Sequence, residues 1–281
     1  MRRGVALVTG SSSGFGLRAC VALAARGFEV IASMRDLDRG EALRAALAER
    51  GFDASVELAA LDVCDADQRE ALCARVLAER GAVDVLVNNA GVMVTGFCED
   101  VDEASLRAQF ETNFFALVGL TQALVPAMRE RRWGRVINLS SAAGRRAIPG
   151  HGAYCASKFA LEGWSEALRY ELLPYNVFVC LIEPGMFPTQ IFGRNRQVET
   201  GPDSPHARSW ARLEADTAQA QRLIAPFADP QAVGERVAEL AIARRPRLRH
   251  AVGPDARLAA LSFGPAVETW WEQQMLRIFR S

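Results

Sequence analysis

The sequence predicts a doubly wound α/β fold, in which a parallel sheet lies between two layers of helices. Short apolar segments and amphipathic segments alternate along the first two thirds of the chain, as in successive β–α–β units. The apolar segments are continuous runs of Val, Ile and Leu, as strands buried on both faces require. The first of them ends in a glycine-rich turn. These three observations together indicate the fold class.

Each predicted strand is an apolar run bounded by turn residues, and each predicted helix has apolar residues spaced three and four positions apart. The predicted strands are residues 5–9, 29–33, 56–61, 83–87, 135–139, 177–182 and, as a short last strand, 250–252. The predicted helices are residues 16–26, 38–50, 66–80, 103–131 (one helix or two), 154–173, 210–223, 231–243 and 269–279.

The pattern weakens beyond residue 185, where residues 193–205 are polar and contain glycine and proline. We expect this portion to lie outside the core and to form a mobile lid over a substrate. The sequence therefore predicts a single domain over residues 1–281, with a loop-and-helix insertion at about residues 186–225 that contacts substrate.

Composition restricts the class of function. The chain has 281 residues, with 33 basic and 33 acidic side chains and a formal net charge of zero. A chain of this length buries a full core, and balanced charge provides no field to attract nucleic acid or an anionic membrane. No apolar run approaches the roughly 20 residues that a membrane span needs. We therefore expect a cytoplasmic protein with no nucleic-acid partner and no membrane span.

Cysteine and lysine usage give two further indications. The six cysteines are scattered, with no C-x-x-C pair and no histidine at metal-ligand spacing, so we expect reduced structural thiols and no metal site. Lys158 is the only lysine among the 33 basic residues. Because arginine fills most surface roles but cannot supply a compact ammonium on a flexible stem, Lys158 is a candidate functional residue.

The glycine-rich turn connects the first strand directly to a helix. It reads Thr9-Gly-Ser-Ser-Ser-Gly-Phe-Gly16. Glycines at such a turn let backbone N–H groups approach a pyrophosphate, and the helix N-terminus adds positive partial charge. The spacing G-x-x-x-G-x-G differs from the standard dinucleotide fingerprint, and a tight strand-to-helix turn would also explain it. The turn alone is thus a weak indication of a Rossmann-type nucleotide-binding fold.

Other conspicuous residues also follow the carboxyl ends of predicted strands, the edge at which open parallel sheets bind ligands. They are Asn88 to Gly91, Ser141 and Pro184-Gly185. Tyr154 and Lys158 lie four residues apart on a predicted helix and therefore share a face. A nearby ammonium favours the phenolate and lowers the tyrosine pKa from about 10. We therefore expect Tyr154 to be a usable general acid or base.

In their order and spacing these motifs resemble those of the classical short-chain dehydrogenase/reductase family, and most closely its hydroxysteroid and retinol dehydrogenase branch. The resemblance covers residues 5 to about 190. The matching motifs are Thr9 to Gly16 (T-G-x-x-x-G-x-G), Asn88 to Gly91 (N-N-A-G), Asn113, Ser141, Tyr154 to Lys158 (Y-x-x-x-K) and Pro184-Gly185.

The resemblance implies four catalytic residues. Ser141 would hydrogen-bond the substrate oxygen, Tyr154 would pass the proton, and Lys158 would lower the tyrosine pKa and hold the nicotinamide ribose. Asn113 would support a water-borne proton relay, although its amide in this apolar helical stretch is also explained by hydrogen bonds to backbone. His151 is better explained as a turn histidine than as a neighbour of the substrate, and is not counted as catalytic.

The cofactor type depends on the residues after the second strand, where an acidic residue favours NAD and a basic residue accommodates the 2′-phosphate of NADP. By resemblance Met34 occupies the acidic position and Arg35 the basic one, so we expect NADP. Asp36, about 20 residues from the glycines, keeps NAD possible. The expected cofactor-binding residues are Gly10, Ser12, Ser13, Gly14, Phe15, Gly16, Arg35, Asp62, Val63, Asn89, Ala90, Gly91, Tyr154, Lys158, Pro184, Gly185 and Thr189.

The expected function is that of an NADP(H)-dependent oxidoreductase interconverting a secondary alcohol and a ketone. Apolar residues after the N-N-A-G turn, after Ser141 and after Pro184-Gly185 favour a bulky hydrophobic substrate, steroid-, retinoid- or polyketide-like. The resemblance also implies a homodimer or homotetramer paired through the helices at 103–131 and 154–173. Two alternatives remain at this point: a non-catalytic dinucleotide sensor on the same fold, and an NAD-retaining epimerase or dehydratase.

Overall fold

The computed structural model describes residues 4–260 and Gln273, and it has a parallel sheet of seven strands in the order β3-β2-β1-β4-β6-β7-β9. Two short strands, β5 and β8, form a separate parallel pair. The strands are β1 (Val5–Thr9), β2 (Glu29–Met34), β3 (Val56–Ala60), β4 (Val85–Asn88), β5 (Met93–Thr95), β6 (Gly134–Leu139), β7 (Val177–Pro184), β8 (Arg196–Val198) and β9 (Arg249–Val252). The doubly wound fold class predicted from the sequence is confirmed.

Helices cover both faces of the large sheet. They are α1 (Gly14–Ala25), α2 (Glu41–Ala48), α3 (Ala66–Arg80), α4 (Glu103–Phe110), α5 (Ala116–Glu130), α6 (Gly152–Leu172), α7 (Ala207–Ile224), α8 (Gln231–Ile242) and α9 (Pro254–Ala260). Helices α1, α2 and α8 contribute to the core on one face, and α3, α5 and α6 to the core on the other.

The continuous apolar runs of the sequence are explained by this two-sided core. In β1, Ala6 and Val8 pack into the core formed with α1 and α8, whereas Leu7 packs into the opposite core. All three are fully buried. Burying a large aliphatic side chain contributes about 1.5–3 kcal/mol to stability. Both faces of such a strand pack against helices, so an alternating pattern would place polar side chains in one of the two cores.

The structure adds detail to two of the predicted helical stretches, and a third was predicted in a part of the chain that the structure does not describe. The predicted helix at 38–50 begins instead as a 3₁₀ turn, Leu37–Gly40, because the Asp36 carboxylate accepts a hydrogen bond from Asp38 N at 3.0 Å and starts the turn early. The predicted helical stretch at 103–131 is α4 and α5 joined by a π-helical turn, Glu111–Phe115. The predicted helix at 269–279 lies outside the described residues, apart from Gln273.

The small β5–β8 sheet was not predicted. Residues 193–205 were expected to be a loop, yet β8 pairs with β5 in parallel register and the Thr200 side chain is buried. A three-residue strand has too few positions to show a period, and its partner lies about a hundred residues away in the chain, so no local pattern indicates the pairing. The mobility expected of this segment remains a prediction.

The strand order creates the place for a site. β1 and β4 are neighbours in the sheet, but the chain leaves β1 towards β2 on one side and leaves β4 towards β6 on the other, so their connections run in opposite directions. A crevice opens at such a switch point, where doubly wound sheets bind ligands. No helix within residues 4–260 is both long enough and apolar enough to cross a membrane.

Candidate active site

A single cleft at the carboxyl edge of the sheet brings the predicted site residues together. Its lining includes Ser12 to Phe15 from the glycine-rich turn, Arg35, Asp62 and Val63, Asn89 to Gly91, Ser141, Tyr154, Lys158, Pro184, Gly185 and Thr189. Two predicted site residues, Gly16 and Asn113, do not line it. Residues more than a hundred positions apart in the sequence therefore converge on one place, as their positions after different strands predicted.

The glycine-rich turn has the backbone geometry of a phosphate cradle. Gly10 and Gly14 have φ of +65° and +55°, values that favour glycine. A Cβ on Gly16 would lie 2.4 Å from the Gly10 carbonyl oxygen, so Gly16 permits the close contact between turn and helix and does not itself face the cleft. Ser13 is the N-cap of α1 and makes no side-chain capping bond. Since the first turn of α1 contains no acidic residue, its N–H groups can receive an anion.

Thr9 and Asn89 hold this cradle in place. The Thr9 hydroxyl accepts hydrogen bonds from Asn89 N and Ala90 N, both at 3.0 Å. In return, Asn89 Nδ2 donates to Thr9 O at 2.8 Å and to Gly10 O at 3.0 Å. The side chain of Asn89, expected among the cofactor residues, thus ties the end of β4 to the glycine-rich turn.

Met34, Arg35 and Asp36 at the end of β2 differ in exposure and in their partners. Met34 is the last residue of the strand and is 3% exposed, whereas Arg35 is exposed and lines the cleft. The Asp36 carboxylate accepts from Asp38 N and forms an ion pair with Arg39 at 3.3 Å. Asp36 is therefore committed to its own turn, and Arg35 is the charged group at this strand end without such an engagement.

Ser141, Tyr154 and Lys158 meet beside the ends of β6 and α6. A hydrogen bond joins the side chains of Ser141 and Tyr154, and Ser141 Oγ also accepts from Ala143 N at 3.1 Å. Lys158 is buried, with its Nζ donating to Leu139 O at 2.7 Å and lying 5.8 Å from the centre of the Tyr154 ring. The phenol, the hydroxyl and the ammonium thus form one compact group.

The pKa values correct one expectation. Burial raises the pKa of the Tyr154 phenol to about 12, a rise that the hydrogen bond from Ser141 opposes. Burial lowers the pKa of the Lys158 ammonium to about 8, while the Glu162 carboxylate acts in the opposite direction. The net shift of the Tyr154 pKa is therefore upward, opposite to the expected lowering, because the cost of burying a phenolate prevails.

Asn113 lies in the π-helical turn between α4 and α5 and is buried. Its Oδ1 accepts from Val92 N at 2.9 Å, and its Nδ2 donates to Val92 O at 3.1 Å and to Ser157 Oγ at 3.2 Å. Both ends of the amide are engaged within the protein, as the backbone alternative expected. π-helical turns are frequent at functional sites, and here the turn presents the amide to the chain that follows the N-N-A-G motif.

His151 has the turn role that the sequence favoured. Its Nδ1 is 3.1 Å from Pro149 O, and burial lowers the pKa of its imidazole. It also lines the cleft three residues before Tyr154. The described residues include no group of three or more His, Cys, Asp or Glu side chains that could hold a metal ion, and the six cysteines are free.

Sequence reasoning missed several residues of the cleft, among them Arg194 and Asp255. The Asp255 carboxylate accepts from Met186 N at 2.7 Å and thereby fixes the chain just after Gly185. Arg194 Nη2 donates to Ser13 Oγ at 3.2 Å, across the mouth of the glycine-rich turn. Both belong to the chain beyond β7, where the motifs become loose, and neither carries a local signal that would single it out.

Comparison with known proteins shows similarity along most of the chain. The short chain dehydrogenase family matches residues 4–200. An uncharacterized oxidoreductase YusZ from Bacillus subtilis is 37% identical, covering 93% of each chain. Human retinol dehydrogenase 8 is 41% identical over 67% of this chain and 60% of its own, and human 17-beta-hydroxysteroid dehydrogenase type 1 is 36% identical over 89% and 77%.

Two solved structures are similar in fold and sequence. A short-chain dehydrogenase from Streptomyces avermitilis superposes with a TM-score of 0.80 at 35% identity, covering 96% of this chain and 97% of that one. A metagenomic short-chain oxidoreductase in complex with NADP has a TM-score of 0.70 at 29% identity, covering 89% and 97%.

Proposed function

Because this chain belongs to the short-chain dehydrogenase/reductase family, and is thus an oxidoreductase related to the retinol and hydroxysteroid dehydrogenases, we propose that it reduces a ketone on a bulky hydrophobic molecule with NADPH. The reverse reaction oxidises the corresponding secondary alcohol. The observation that carries the proposal is the compact group of Ser141, Tyr154 and Lys158 beside a glycine-rich cradle in one cleft.

The cleft fits a nicotinamide dinucleotide. The cradle is open to backbone approach at Gly14, where among the described residues a Cβ would have only Thr189 within 4 Å, whereas Gly10 packs against Asn89 and Ala90. The pyrophosphate would lie against the N-terminus of α1, with Asp62 and Val63 near the adenine and Asn89 to Gly91 along the centre. Pro184, Gly185 and Thr189 would border the nicotinamide.

Arg35 supports NADP over NAD. It lines the cleft beyond the end of β2, where the adenosine ribose of a dinucleotide lies in this fold, and a guanidinium matches a 2′-phosphate in charge and geometry. Asp36, the residue that would favour NAD, is held by Asp38 N and Arg39. A similar solved structure, the metagenomic oxidoreductase, contains NADP.

The protein residues supply the proton and the orientation. When bound, the reduced nicotinamide would supply a hydride to the carbonyl carbon, so that the nicotinamide is oxidised and the carbonyl is reduced. Tyr154 would donate its phenolic proton to the carbonyl oxygen, and the Ser141 hydroxyl would hydrogen-bond the same oxygen. Because the pKa of Tyr154 is about 12, the phenol is protonated at neutral pH, as this direction requires. Lys158 would hold the ribose, and Asn113 would fix the Val92 backbone at the wall of the cleft.

The substrate side of the cleft is apolar. Its side chains include Val92, Met93, Ile148, Phe187, Ile191 and Phe192. A pocket of this kind binds a hydrophobic compound through buried area and uses few polar groups for orientation. The named relatives are dehydrogenases of retinol and of hydroxysteroids, which agrees with a bulky apolar carbonyl compound.

Replacement of Tyr154 by Phe tests the proposal. The change removes the transferable proton and leaves the ring, so kcat for ketone reduction should fall about 10²–10⁴-fold, while the Kd for NADPH stays within a few fold. NADPH consumption would be followed across steroid, retinoid, aliphatic and polyketide-like ketones. The separate variant Lys158→Arg should also lose activity although it keeps the positive charge, because the guanidinium differs from the ammonium in shape and reach. Turnover of the Phe variant at the unsubstituted rate would remove Tyr154 from this role.

A further inference from the structure

Arg194 lies across the mouth of the cofactor cradle. It belongs to the chain between β7 and α7, yet its Nη2 donates to Ser13 Oγ at 3.2 Å, 181 residues away in sequence. Thr189, five residues earlier, packs over the same turn, 3.6 Å from where a Cβ on Gly14 would be. One short segment, residues 189–194, therefore bridges the two sides of the cleft.

The far side of this segment is anchored firmly. Asn195 O accepts from Met93 N at 2.9 Å, and β8 continues the pairing with β5. Arg196 donates to Thr95 Oγ1 at 2.9 Å and forms a two-bonded ion pair with Glu214 of α7. Arg196 lies two residues after Arg194 and is held by these partners. The fold therefore determines the position of Arg194 over the cradle.

Among the described residues Arg194 has no carboxylate partner, although Asp36, Asp62 and Asp255 also line the cleft. Three of the described residues lining it are arginines: Arg35, Arg39 and Arg194. Arg39 pairs with Asp36, whereas within residues 4–260 neither Arg35 nor Arg194 has a carboxylate within 4 Å. The contact of Arg194 is the uncharged hydroxyl at the N-cap of α1, a helix with no acidic residue in its first turn. The Arg194 guanidinium and the positive N-terminus of α1 therefore border the same part of the cleft, an arrangement that suits an anion.

We propose that Arg194 binds the pyrophosphate of the dinucleotide. The inference rests on the proposed function and adds a cofactor ligand from outside the family motifs. The N-terminus of α1 is the pyrophosphate position in this fold, and Arg194 reaches that helix end. Arg35 lies at the end of β2, the position of the 2′-phosphate. The two arginines therefore recognise different phosphates of one molecule.

The same segment also forms part of the substrate side. Ile191 and Phe192 lie between Thr189 and Arg194 and line the apolar part of the cleft. A contact between Arg194 and the pyrophosphate would therefore hold the segment that carries this part of the apolar wall.

The test compares dissociation constants of NADPH, NADH and adenosine 2′-monophosphate, measured by titration calorimetry without substrate. Arg194→Gln should weaken NADPH and NADH alike, by about ten- to a hundredfold for a charge-assisted hydrogen bond. The 2′-monophosphate, which lacks a pyrophosphate, should bind unchanged. Arg35→Ala should give the complementary result, with losses for NADPH and the 2′-monophosphate and none for NADH. Arg222→Gln, an equal change of charge at an exposed position of α7 outside the cleft, is the matched control.

Each outcome decides between the assignments. Dinucleotide affinities of Arg194→Gln equal to those of Arg222→Gln would overturn the role of Arg194 and leave the proposed function standing. Losses confined to NADPH and the 2′-monophosphate would place Arg194 at the 2′-phosphate and overturn the pyrophosphate assignment. If the unsubstituted protein bound neither dinucleotide, the proposed function itself would fail. Arg194→Lys should recover part of the affinity, since it keeps the charge without the fork of donors.

Discussion

Removal of Arg35 should change the choice between NADPH and NADH. A guanidinium that makes one charge-assisted hydrogen bond to a 2′-phosphate contributes about 1.5–3 kcal/mol. At 1.4 kcal/mol for each factor of ten, Arg35→Ala should lower kcat/KM for NADPH about ten- to a hundredfold. Because Arg35 is exposed, salt screens the interaction, and at 0.15 M ionic strength the lower end is expected. NADH has no phosphate there, so its kcat/KM should change little.

The assay is initial-rate reduction of one ketone with each cofactor, at 0.05 M and at 0.5 M salt. The loss for NADPH should shrink at the higher salt concentration. Adding Met34→Asp to Arg35→Ala should favour NADH further, since a carboxylate accepts from ribose hydroxyls and repels a phosphate. Met34 is 3% exposed, so this double variant needs a thermal melt as a stability control. Equal losses with both cofactors in Arg35→Ala would refute the reasoning and mean that Arg35 only supports its turn.

Two further predictions concern pH and assembly. Burial lowers the pKa of Lys158 to about 8, and the ammonium is the form that we propose holds the ribose. The kcat/KM for NADPH should therefore be constant below pH 7 and fall about tenfold per unit well above pH 8; a profile flat to pH 10 would contradict this. We also expect a homodimer or homotetramer, because Leu106, Phe115 and Phe159 leave apolar surface on α4, the π-helical turn and α6; a monomeric mass by light scattering at micromolar concentration would contradict it.

The sequence predicted the large sheet well because its signals are local. Each strand such as Val5–Thr9 or Val177–Pro184 carries its own apolar run, and the glycine-rich turn and Pro184-Gly185 lie at the ends of these two strands. The pairing of Met93–Thr95 with Arg196–Val198 depends on two segments that show no period separately. That is why the anchored part of the segment after β7 was expected to be a loop.

The sequence predicted the type and position of the site residues, but not their hydrogen-bond partners or the direction of their pKa shifts. The sequence places Tyr154 and Lys158 on one helix face, and the structure brings them together as expected. The sequence could not show that Lys158 Nζ is directed at Leu139 O, because the carbonyl comes from a strand nineteen residues earlier. Burial, which sets both pKa values, is a property of the whole fold. Arg194 was missed for the same reason, since only the fold brings it within hydrogen-bond distance of Ser13.

The mutual hydrogen bonds of Thr9 and Asn89 divide the cleft into two parts that can change independently. The ends of β1 and β4 are tied to each other by protein groups alone, so the cradle is preorganised and its binding of a dinucleotide loses little conformational entropy. Ile191 and Phe192 belong to chain beyond β7 that uses none of these bonds. Substitutions at these two positions can therefore change the apolar side of the cleft while the dinucleotide half keeps its shape, which makes them the place to redirect the enzyme to new substrates.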